Sequence, residues 1–80
     1  MKNQTAIIIL TSELEPISTN EMLQILRTEL IDVEYKTSAP STYYGIKEHI
    51  FVTNMEISRE SEDNIRFSIE RQPTSMLISF

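Results

Sequence analysis

The run Gln4-Thr5-Ala6-Ile7-Ile8-Ile9-Leu10-Thr11 constrains the fold more than any other part of the chain. Its β-branched residues favour extended backbone. Its apolar stretch is unbroken, so side chains that alternate between the two faces of a sheet are apolar on both. A helix of this length would be too short to bury well, and the run reads as a strand covered on both sides in the centre of a sheet. A chain of 80 residues makes one domain, residues 1–80, near the size at which a single hydrophobic core becomes marginal. There is no cysteine for a disulfide, and with one histidine a structural zinc site would need carboxylates for nearly all its ligands. No metal or cofactor is therefore expected, and oligomerisation is the remaining common means of support.

Further along, Ser18 and Glu21 fit a capping box. The Ser18 hydroxyl accepts from the Glu21 N–H, and Ile17 and Met22 stand where a hydrophobic staple closes over the cap. The helix is predicted from about Thr19 to Asp32, with Met22, Leu23, Ile25, Leu26, Leu30 and Val33 on one face. Glu29 falls at the boundary of that face and Ile31 opposite it.

Val33–Thr37 alternates as a half-buried strand does, and Pro40 opens a loop over 38–42. Ile46–Ile57 reads as a longer strand. The stretch 58–64 reads as a charged connection. Ile65-Arg66-Phe67-Ser68-Ile69-Glu70 alternates cleanly, so a strand is predicted there with Ile65, Phe67 and Ile69 facing the core. Met76–Phe80 offers a last short strand.

The expected fold is α+β, with a single helix on one face of a four- or five-stranded, mostly antiparallel sheet in the order β-α-β-β-β-β. The handedness of crossovers makes the first two strands parallel, either as neighbours or with a later strand inserted between them. Insertion would bury the first strand from both sides.

Lys and Arg number 7 against 12 Asp and Glu, a net charge of −5. Such a field repels phosphate backbones and favours basic partners, although a modest negative charge also keeps a small domain in solution. The longest apolar run, Ala6–Leu10, is too short for a signal-peptide core or a membrane span, so a cytoplasmic protein without membrane contact is expected.

Chemistry finds few candidates. A nucleophilic enzyme would need His49 as its base, with a hydroxyl in reach and a third group to orient the ring. The plainer reading is a partly exposed strand histidine sharing a side with Lys47 and Phe51. Glu13 and Glu15, just after the first strand, are the carboxylates a small metal-dependent hydrolase or nuclease would use, and solvated loop charge is the plainer reading of them.

Binding offers more. The acidic stretch Glu56–Asp63, with Glu60, Glu62 and Asp63 at its tip, could engage a basic groove. Tyr43 and Tyr44 at the bend before Gly45 have the character of contact residues, unless one folds onto the core. Met76, Ile78 and Phe80 form an apolar edge that invites pairing with a second copy. The sequence thus reads as a small acidic, non-enzymatic protein-binding module. It would be a regulator or inhibitor of the kind small mobile elements encode, occluding a basic surface on its partner. A small metal- or histidine-dependent hydrolase or nuclease using Glu13, Glu15 or His49 and a structural subunit of a homo-oligomer are the alternatives.

Overall fold

In the computed structural model, residues 4–13, 18–71 and 77–79 are described. The apolar run forms strand β1 (Thr5–Ser12), and it lies inside the sheet. The chain then enters helix α1 (Thr19–Arg27), where Ser18 caps the first turn by accepting from the Glu21 N–H at 3.2 Å. Ile17, the other half of the expected staple, lies outside the described residues. The helix ends at Arg27, five residues before Asp32, because the Thr28 hydroxyl bonds back to the Ile25 carbonyl and residues 28–32 turn. Leu30 nevertheless remains in the core, and Ile31 is fully out in solvent.

Strands β2 (Val33–Pro40) and β3 (Ile46–Thr53) form a hairpin, and β3 pairs with β1 over the whole length of both strands. All pairings are antiparallel, so β1 and β2 run parallel with β3 inserted between them. This is the inserted arrangement that a crossover from β1 through α1 to β2 allows.

The expectation of one helix on a four- or five-stranded sheet is overturned after β3. Arg59–Glu70, which was to contain a fourth strand, is helix α2, so the order through this point is β-α-β-β-α on three long antiparallel strands. A three-residue segment, β4 (Leu77–Ser79), then pairs with the free side of β1. With it, the strand order β2-β3-β1-β4 is that of the split β-α-β, or ferredoxin-like, arrangement.

The reason for the misreading is physical. Ile65 and Ile69 are four residues apart, a spacing that satisfies both a strand of period two and one face of a helix. Of the three apolar residues, Phe67 is the one that separates the two readings. In the helix Ile65 and Ile69 are buried while Phe67 is 68% exposed. The supposed charged connection holds the helix start: the Ser58 hydroxyl accepts from the Ser61 N–H, Glu60 and Glu62 sit in the first turn, and Arg66 bridges to Glu62 and Glu70 one turn either side.

Both helices lie on one face of the sheet. The core joins Ile7 and Ile9 of β1, Val33 of β2 and Phe51 of β3 to Met22 and Leu26 of α1 and Ile65 and Ile69 of α2. Ile69→Ala should therefore cost about 2–5 kcal/mol, whereas Phe67→Ala should stay within about 0.5 kcal/mol. Urea unfolding of the two variants checks this, and equal losses would contradict the helical assignment.

Candidate functional site

Three features stand out: the β2–β3 turn, the second face of the sheet, and a polar group buried beneath its first face.

Gly45 adopts φ +78°, a backbone that favours glycine, and open space surrounds the position a Cβ would take. The turn is pinned on several sides. The Ser41 N–H donates to the Ile46 carbonyl, the Ile46 N–H to the Tyr43 carbonyl, and the Tyr43 N–H to the Ser41 hydroxyl, all at 2.9–3.2 Å. The Glu13 N–H reaches across from the end of β1 to the Gly45 carbonyl. Neither tyrosine folds onto the core: Tyr43 is 67% exposed and Tyr44 entirely so. Both line a shallow depression with Glu13, Pro40 and Ile46.

Ile46 connects this turn to the sheet's second face. The register pairs Ala6 with Val52, Ile8 with Ile50 and Ser12 with Ile46, all on the side away from the helices. Leu10 belongs to the same face, opposite Glu48. Apart from exposed Ala6, these residues are half-buried, and no described helix or strand lies over them. β1 was expected to be covered on both sides; the described elements cover one.

Beneath the helices, His49 is 3% exposed and not the partly exposed residue anticipated. Its Nε2 lies 2.8 Å from the Thr11 hydroxyl and its Nδ1 2.8 Å from the Ser38 hydroxyl, which in turn meets the Tyr35 hydroxyl at 2.6 Å. A neutral imidazole has one donor and one acceptor nitrogen, and hydroxyls on both sides satisfy either tautomer. Burial first, then the nearby Lys47 ammonium, lower the His49 pKa from its usual range. Thr11, Ser38 and Tyr35 were not among the residues singled out in the sequence. Ser38 pairs directly with His49 only because the β2 register shifts between Tyr35 and Thr37.

The acidic residues Glu60, Glu62 and Asp63 lie in the first turns of α2, on the helical layer. They start beyond the far end of β3, about 23 Å along the strand from the tyrosines at about 3.3 Å per residue, so the two groups do not form one surface. Glu13 is exposed at the end of β1, and Glu15 lies outside the described residues. No group of three or more metal-ligating side chains gathers among the described residues. Ile78 falls in β4 at the sheet edge, opposite Ile9; Met76 and Phe80 lie outside the described residues. No described helix is long and apolar enough to cross a membrane.

In comparison with known proteins, the chain matches no family model, no curated protein and no solved structure. Its class is that of a small α+β protein, defined by its own strand order and by the surfaces just described.

The buried histidine gives stability a pH dependence. A lowered folded-state pKa means that His49 binds its proton more readily in the unfolded chain. Its contribution is complete above the unfolded value of about 6.5 and is lost as pH falls through the folded value, by up to about 1.4 kcal/mol per pH unit. His49→Gln should remove this slope just below about pH 6.5, where carboxylates do not yet titrate. Urea unfolding of wild type and variant measures it; parallel curves would refute the assignment.

Proposed function

We propose that this protein is a small acidic, non-enzymatic binding module whose contact surface is the second face of the sheet together with the Tyr43–Tyr44 turn. One observation carries the reading. β1 is apolar on both faces, a composition suited to a strand covered on both sides, and β3 adds Ile46, Ile50 and Val52 to the second face, while the described elements cover only the first. Contiguous uncovered apolar surface is a hallmark of interaction sites. The adjoining tyrosines supply rigid amphipathic area of the kind enriched at binding hot spots, and the pinned turn holds them in place without a partner.

Glu34 and Glu48 lie on the same face, and the chain carries a net charge of −5, so a partner offering an apolar surface edged with Lys or Arg fits best. A module with no reaction of its own acts by occupying that surface, as a regulator or inhibitor does. Immobilised protein should retain a partner from its native cell lysate. Ile50→Glu should abolish retention and Tyr44→Ala should weaken it at least tenfold, both with unchanged melting. Equal retention by Ile50→Glu would refute the reading. A doubled mass in light scattering that Ile50→Glu halves would instead make the occupant a second copy, and the protein a structural subunit.

The Ser38–His49–Thr11 chain favours a second reading, a hydrolase. It has a hydroxyl, a neutral base within 2.8 Å and a group that orients the base, and Ser38 lines a depression with Glu13 and Lys47. A fluorophosphonate probe separates the two. Labelling of Ser38 that disappears in His49→Gln supports hydrolysis, and no labelling above that of Ser38→Ala dismisses it.

A further inference from the structure

We infer that the outward face of α2 is a second, separate docking surface, fitted to a protein partner that presents an apolar pocket ringed by Arg and Lys. At about 100° per residue, Glu60, Asp63, Phe67, Glu70 and Arg71 share the stripe opposite buried Ile65 and Ile69. All five are exposed. On the edge of this stripe, Asn64 donates to Glu29, in the turn that follows α1, at 3.2 Å, which holds a further carboxylate beside it.

The centre of the stripe is an aromatic ring that the fold does not use. Phe67 is 68% exposed and contributes nothing to the core, and an open phenylalanine in a ring of charges has the form of a hot-spot anchor. The cation it prefers is visible in the structure. The Arg71 guanidinium lies 5.5 Å from the ring centroid, the position a partner's arginine would take over on binding. Asp63 and Glu70 lie within one turn of Phe67 on this stripe, Glu60 lies a turn further along it, and Glu29 stands at its edge beside Asn64. These carboxylates repel nucleic acid and anionic lipid and attract a basic protein surface, so the charge pattern chooses the occupant.

This surface faces away from the uncovered side of the sheet, so it stands or falls independently of the contact surface proposed above. The probe is a synthetic peptide of alternating arginine and leucine pairs, titrated into isotope-labelled protein and followed by amide chemical shifts. Shifts should centre on residues 59–71. Binding should weaken at least tenfold in Phe67→Ala, in Glu60→Lys/Asp63→Lys, and when serine replaces leucine in the peptide. It should persist in Ile50→Glu, the variant that disables the sheet face. Absence of binding, shifts centred elsewhere, or equal binding by Phe67→Ala would overturn the proposal. Phe67 is exposed, so unchanged melting of Phe67→Ala ensures that the loss reads the surface and not the fold.

Discussion

The antiparallel ladder between β1 and β3 is the interaction on which the rest of the molecule depends. It runs without a break from Thr5 opposite Thr53 to Ser12 opposite Ile46 and joins the two most apolar of the three long strands. Side chains alternate across a sheet, so this single register presents Ile7, Ile9 and Phe51 to the helices and Ile8, Ile50 and Val52 to the other side. A slip of one residue would exchange the two sets. Both sets are apolar, so hydrophobic burial alone separates the registers poorly.

Polar residues on the helix-covered face supply the missing discrimination. His49 stands directly opposite Ile9 on β1 and Ser38 on β2, with Thr11 diagonally adjacent. Its two ring nitrogens find their hydroxyl partners only in this register. A slip would leave buried polar groups unpaired, at about 1–3 kcal/mol each. The histidine that looked like a candidate base in the sequence thus has a sufficient role in fixing how three strands align. That role explains its burial and its neutral charge state at once.

Much of this was legible in the chain. The doubly apolar run marked β1 as a central strand, Ser18 and Glu21 marked the start of α1, and Pro40 and Gly45 bracketed the turn that displays Tyr43 and Tyr44. What misled was degeneracy. Ile65 and Ile69 fit two periodicities, and the capping residue Ser58 and the Glu62–Arg66–Glu70 ladder, which resolve them, lay in a stretch read as loop. Contacts that depend on register, such as Ser38 with His49 across a local shift in β2, have no signature in a single sequence. The uncovered sheet face was legible in part. The sequence showed that both faces of β1 are apolar, and only the fold shows that its helices take the same one.

That one-sided covering is the central claim, and methyl relaxation by a soluble paramagnetic agent measures it directly on the free protein. Methyl groups of Ile8, Leu10, Ile50 and Val52 are expected to relax much faster than those of Ile7, Ile9, Ile65 and Ile69. Equal protection of the two sets would show that the second face is already covered, and would contradict the reading of that face as a contact surface.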